Sequence, residues 1–196
     1  MKTKSHKFNL SLLARAKAGK IVFSAAVMAG IFVVNAGTVF ASDITPANVE
    51  YLVNSERTYY GLPPLKVDPK LNSAAALKTK DMITRNYFEH FAFGLTPWDF
   101  IKQSDYNYLY AGENLAMNFQ TSEGMVNAWM QSPLHRANIL NPDYTDMGIG
   151  VVKGAFTENG QLEDTIIVDN MFGRRKPAIL EVFNKFIAKI AEMYKF

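Results

Sequence analysis

An α+β layered domain is the fold class that this 196-residue chain predicts. Three observations carry that expectation. Helix-start signals, a capping residue followed by proline, recur at Thr45-Pro46, Asp68-Pro69 and Thr96-Pro97. Short β-branched runs appear only later, on either side of Asn159-Gly160, a pair suited to the positive φ angles of a tight hairpin turn. The 155 residues that follow residue 41 (196 less 41) suffice for one core, since a domain near that length buries roughly 68–70% of its unfolded surface. No cysteine occurs, so packing must supply what disulfides supply in many small exported domains.

In chain order, residues 1–41 come first and differ in composition from the rest. Lys2, Lys4, Lys7, Arg15, Lys17 and Lys20 form a basic stretch without an acid, Ile21 to Val34 is apolar, and Val39-Phe40-Ala41 fits a small-residue cleavage site. We read a secretory signal cut after Ala41; the alternative is an uncut N-terminal anchor, its apolar stretch approaching the roughly 20 residues of a membrane span. Both readings keep the basic end inside and make the folded part extracytoplasmic. Removing these six basic residues from the total of 21 leaves 15 against 18 acids, a net charge of about −3. The electrostatic footprint of a nucleic-acid binder is absent, and nucleic acid is not expected as a partner.

Thr45 is expected to cap a helix running through Val49, Leu52, Val53 and Tyr59 to a break at Gly61. Asp68 caps a longer one whose apolar stripe is Leu71, Ala74, Ala75, Leu77, Met82 and Ile83, ending near Arg85. Thr96-Pro97 opens a short third helix to about Ser104, and Thr121 or Ser122 opens a fourth carrying Met125, Val126, Trp129 and Met130. Ser132-Pro133 starts a short helix with His135 in its first turn. Met147 to Lys153 and Thr165 to Phe172 are expected to pair antiparallel, with Tyr106 to Tyr110 or Asn114 to Asn118 adding a third strand. We place the folded domain at 42–176. Residues 177–196 form a separate amphipathic helix with Ile179, Val182, Phe183, Phe186, Ile187 and Ile190 on one side. That helix either packs on the domain or a partner, or lies in a membrane interface with Lys185, Lys189 and Lys195 snorkelling.

Outside the leader only His90 and His135 are available as imidazoles. The helix dipole at the start of its helix disfavours an imidazolium at His135, leaving a ring able to accept a proton or bind a metal. Neutral imidazoles and carboxylates are the ligands zinc requires, but the spacing of His90, Glu113, Glu123 and His135 lacks the close pairing of a His-Glu-x-x-His site. Each residue also has an ordinary structural role: Glu123 at a helix N-terminus, Glu113 as a loop acid, His135 as a capping group. Glu89 is placed to pair with Arg85 in solvent. Trp98, Trp129 and Phe172 read as core, as do most of the alternating Tyr106, Tyr108 and Tyr110. A serine hydrolase is poorly supported, because Ser132 can approach His135 but no third group is identifiable.

The segments Ala111-Gly112-Glu113-Asn114-Leu115-Ala116 and Trp129-Met130-Gln131-Ser132-Pro133-Leu134-His135-Arg136-Ala137-Asn138-Ile139-Leu140, read with His90 and Glu123, resemble the CAP superfamily. This is the cysteine-rich secretory, antigen 5 and pathogenesis-related class 1 group, also called SCP-like, here in a disulfide-free bacterial form. The resemblance covers about residues 49–173. It implies a three-layer α-β-α sandwich and a cleft lined by His90, Glu113, Glu123 and His135. It further implies a divalent cation such as zinc on His90 and His135, with the two Glu supporting. Leu134 departs from the glycine common at its position, and Asp169-Asn170 is more polar than usual. The implied function is an exported binding or interaction module for a small ligand, a lipid or a cell-surface partner. The alternatives are a zinc-assisted hydrolase and a carrier of an apolar, lipid-like ligand. Membrane association is expected through the N-terminal segment or the C-terminal helix.

Overall fold

The computed structural model describes residues 43–193; the leader or anchor expected at 1–41 lies outside the described residues. The elements are α1 (Pro46–Tyr59), β1 (Lys66–Val67), α2 (Pro69–Arg85), α3 (Pro97–Gln103), β2 (Tyr108–Met117), α4 (Ser122–Gln131), α5 (Pro133–Ile139), β3 (Asp146–Glu158), β4 (Gln161–Arg175) and α6 (Ala178–Met193). Four strands form one sheet in the order β1-β3-β4-β2. The β3–β4 and β2–β4 pairs are antiparallel, while β1 joins β3 in parallel, so the sheet is mixed rather than purely antiparallel.

Helices cover both faces of the sheet. On one face Val49 and Val53 of α1, Met125, Val126 and Trp129 of α4, and Ile139 of α5 pack against Met147, Ile149, Val168 and Phe172. On the other, Leu71, Ala74 and Ala75 of α2 and Phe100 and Ile101 of α3 pack against Tyr106 and Met171. Two glycines set the depth of the second layer. A Cβ on Gly148 would lie 2.0 Å from the Leu71 carbonyl carbon, and one on Gly150 would lie 2.4 Å from that of Ala75, so the α2 backbone rests directly on β3.

The helix starts follow from side-chain chemistry. Thr45 accepts from the Asn48 N–H at 3.2 Å, Asp68 from Lys70 at 2.9 Å and Thr121 from Gly124 at 3.1 Å, each satisfying a donor the first turn leaves free. Asn86, in the left-handed region at φ 53, stops α2. Its side chain then bonds the backbone of Thr157 in both directions. Because the helix ends there, Glu89 is not one turn from Arg85. Arg85 instead pairs with Asp81 at 3.6 Å and lies 3.7 Å over the Phe93 ring, which corrects the expected Arg85–Glu89 pair.

The α2 stripe also differs in one place from its sequence reading. Leu77 is exposed, whereas Lys78 is fully buried between Ala75 and Met82. The hairpin turns at Asn159 (φ 51) and Gly160 (φ 79) as expected, but both strands extend past the β-branched runs. Its outer ladder, Glu158↔Gln161 to Ala155↔Asp164, is exposed except at Phe156, which packs with Met82 and Tyr87, so it needs no continuous apolar pattern. A register shift between Tyr108 and Tyr110 breaks the expected tyrosine alternation: Tyr106 is core, Tyr108 half-buried and Tyr110 exposed. Among the described residues, no helix is long and apolar enough to cross a membrane.

Candidate functional site

β2 is an edge strand, and the site is built around it. Cross-strand partners share a face, so Glu113, opposite Met171, points into the α2 layer together with Leu115 and its partner Asp169. Asn114 points the other way, towards α5. The edge carbonyls of β2 that face away from β4 are capped in turn: Ala111 by the Tyr144 hydroxyl at 3.1 Å, Glu113 by Asn138 Nδ2 at 3.0 Å and Leu115 by Trp129 Nε1 at 2.9 Å. Asn138 Nδ2 also reaches Asn114 Oδ1 at 2.9 Å, and Asn114 Nδ2 donates to the His135 carbonyl at 3.0 Å. These bonds blunt an otherwise open edge. They also fix α5, and therefore His135, to the residue next to Glu113.

His90, on the loop after α2, places Nδ1 2.5 Å from Glu113 Oε2. Its ring is 46% exposed, while the Glu113 side chain is only 2% exposed, so the carboxylate is an interior support for a surface imidazole. With Nδ1–H donated to the carboxylate, His90 Nε2 carries the free lone pair. At the α4–α5 junction the His135 Nδ1 lies 2.9 Å from Ser132 Oγ, again leaving Nε2. Burial, and then the charge of His90, lower the His135 pKa below the usual histidine value. The direction matches the sequence expectation, but its causes are burial and His90 rather than a helix dipole.

Beneath His90 lies a buried charge cluster. Lys78 Nζ donates to the His90 carbonyl at 3.0 Å and contacts the Tyr87 hydroxyl at 3.4 Å, and that hydroxyl donates to Asp81 at 2.6 Å. Burial lowers the Lys78 pKa, opposed first by the charges of Glu113 and Asp169. Asp169 is completely enclosed; burial and then the Glu113 charge hold its carboxyl well above the usual carboxylate range. Burial also raises Glu113, against the hydrogen bond and charge of His90 and the charge of Lys78. Glu113 Oε1 and both Asp169 oxygens lack a partner of ordinary hydrogen-bond geometry among the described residues. A proton on Asp169 directed at Glu113 relieves this carboxyl pair, while Lys78 balances the remaining negative charge.

Of the four expected site residues, the structure thus joins His90 to Glu113 directly and holds His135 across the same strand edge. Glu123 sits in the first turn of α4, nine residues before Ser132, the residue that holds His135. Lys78, Asn114, Asn138 and Asp169 were not expected at the site. The available signal was a lysine in the phase of an apolar stripe and an Asp-Asn pair inside an apolar strand.

The donor set decides which metal site is compatible. A catalytic zinc takes three protein ligands and an open position. Here Glu113 Oε2 is committed to His90, and among the described residues no three His, Asp or Glu groups converge as metal ligands.

The model of the CAP, cysteine-rich secretory protein family, matches residues 50–168, more than half of the chain. Among curated proteins, YkwD of Bacillus subtilis, described as uncharacterized, is 44% identical over 104 residues, 52% of this chain and 40% of its own length. The uncharacterized membrane protein YlbC of the same organism is 34% identical over 110 residues, 55% of this chain and 32% of its own. This chain thus spans less than half the length of either. Among solved structures, an extracellular SCP-domain protein from Bacillus anthracis aligns with TM-score 0.58 and 27% identity, over 66% of this chain and 40% of that one. An outer surface protein of Borrelia burgdorferi aligns with TM-score 0.54 and 24% identity, over 69% and 99% respectively, a likeness of fold.

Proposed function

Because this chain belongs to the CAP, or cysteine-rich secretory protein, family, we propose that it works outside the cytoplasm as a binding module whose β2-edge site presents two imidazoles to a ligand. The location rests on the signal-like leader and on the similarity to an extracellular SCP-domain protein. One observation carries the binding reading: each imidazole has its Nδ1 held by the fold, His90 by Glu113 at 2.5 Å and His135 by Ser132 at 2.9 Å, so both Nε2 atoms are preorganised. A divalent cation with waters in its remaining positions is the ligand this donor set favours. Such a cation would supply a labile positive centre for an anionic group on a partner.

The hydrolase alternative fares worse. That reading assigns a Glu as the base for a metal-bound water, and Glu113 is engaged with His90 and buried. In the Ser132–His135 pair Nδ1 is the atom that faces the serine, whereas a Ser-His-Asp triad uses Nε2 for the serine and holds Nδ1 with the carboxylate. Calorimetric zinc titration of the native protein and a His90→Ala/His135→Ala variant tests the binding reading. Weak one-to-one binding lost in the variant is expected; equal binding by both proteins would refute the site.

A further inference from the structure

Charge is segregated along the chain after the leader. Residues 174–196 carry six basic side chains (Arg174, Arg175, Lys176, Lys185, Lys189, Lys195) against Glu181 and Glu192, a net of +4. Of the 15 basic and 18 acidic residues after residue 41, this leaves nine basic and sixteen acidic for 42–173, a net of −7. The basic end is also where a large apolar face lies open. Ile179, Val182, Phe183 and Phe186 of α6 are 73, 62, 58 and 59% exposed. At 100° per residue these four fall within an arc of about 100°, with Ile187 and Ile190 on the same side, while positions 181 and 192 lie opposite. Position 189 borders the apolar arc. Position 192 therefore falls on the water side of a helix lying in an interface.

We infer that α6 lies in the surface of an anionic lipid bilayer, its Ile179–Phe183–Phe186 face in the acyl boundary and its basic residues at the headgroups, tethering an acidic domain to the outside of the membrane. The charge pattern selects this occupant. An anionic lipid surface attracts the 174–196 segment, net +4 with Arg175 already paired to Asp68, and repels the −7 body, so of the folded part it is the tail that docks. At sixteen residues α6 is about 24 Å long, too short to span the hydrocarbon core but ample for lying in its plane. The helix leaves the domain from a fixed point, since the Lys176 N–H bonds the Asn107 carbonyl at 2.9 Å immediately before Pro177. This surface is independent of the His90–His135 site.

The chain has no cysteine, so one introduced cysteine gives a unique label position. In the full chain, Ile179→Cys, Phe183→Cys and Glu192→Cys are each labelled with an environment-sensitive fluorophore and mixed with phosphatidylglycerol/phosphatidylcholine vesicles or with phosphatidylcholine alone. Emission at positions 179 and 183 is expected to shift to the blue with anionic vesicles, with affinity at least about tenfold above that for the neutral ones and falling with salt. Emission at position 192 is expected to stay that of water. Because the readout is local to α6, lipid binding by the apolar residues 21–34 does not imitate it. Blue emission at 179 and 183 before lipid is added would show the face covered by this chain or a second copy and overturn the proposal. No shift with anionic lipid, or equal shifts at 183 and 192, would overturn it as well.

Discussion

Replacing Asp169 with Asn isolates the energetic cost of the buried carboxyl pair beneath His90. Complete burial and the nearby Glu113 raise the folded-state pKa of Asp169 well above the ordinary value. Between the unfolded pKa, about 3.9, and the folded one, the native state holds a proton that the unfolded state has released. The unfolding free energy therefore falls with rising pH by about 1.4 kcal/mol per pH unit for that proton. The stabilising contribution is complete below the unfolded pKa and is lost as pH rises through the folded one. An Asn side chain has the shape of the protonated acid, can donate Nδ2–H towards Glu113, and takes up no proton. Urea unfolding of both proteins in steps from about pH 4 to about pH 8 should show the native curve falling relative to the variant. The variant should keep the slopes of the other titrating groups, among them Glu113, whose folded pKa is also raised, and His135, whose lowered pKa acts in the opposite direction, and should be the more stable protein at neutral pH. Parallel curves, or a variant less stable at every pH, would refute the assigned proton.

Lys78→Met should cost about 3–5 kcal/mol, or roughly 6–20 °C in thermal midpoint, because it strips the cation from a buried group that still contains two carboxyls. Gly148→Ala should destabilise by about 3 kcal/mol, the upper end for overpacking, in the same melt, since the new Cβ meets α2 backbone at 2.0 Å and not a side chain that can turn aside. His135, with a lowered folded pKa, contributes stability above its unfolded value near 6.5 that is lost as pH falls through the lower folded value; His135→Gln should remove part of the acid-side loss seen in pH-dependent melts. Chelation with EDTA should leave unfolding cooperative and the midpoint nearly unchanged, because the core is apolar and the candidate cation ligands sit at the surface; collapse of the transition would show a structural metal.

Local chemistry made most of the fold legible. Thr45, Asp68, Thr121 and the prolines that follow the first two fix helix starts by satisfying or removing free N–H groups, and Asn159-Gly160 permits the turn. The two-residue β1, in the segment after Pro63-Pro64, has no pattern that a sequence can show; its pairing depends on where β3 passes. At the site, the motif residues were visible but their partners were not. Asn114 and Asn138 act through the carbonyls of another element, and only the folded edge of β2 reveals which ones. Lys78 was hidden because an apolar stripe predicts apolar side chains, so its phase pointed to Leu77 and Ile83 instead.

Nitrogen-resolved NMR of the two imidazoles tests the account most directly. Long-range proton–nitrogen spectra, recorded above the histidine titration range, should show His90 protonated at Nδ1, with Glu113 as acceptor, and free at Nε2. Adding zinc should move the Nε2 signals of His90 and His135 together. A proton on His90 Nε2, or zinc that perturbs neither ring, would contradict the proposed site.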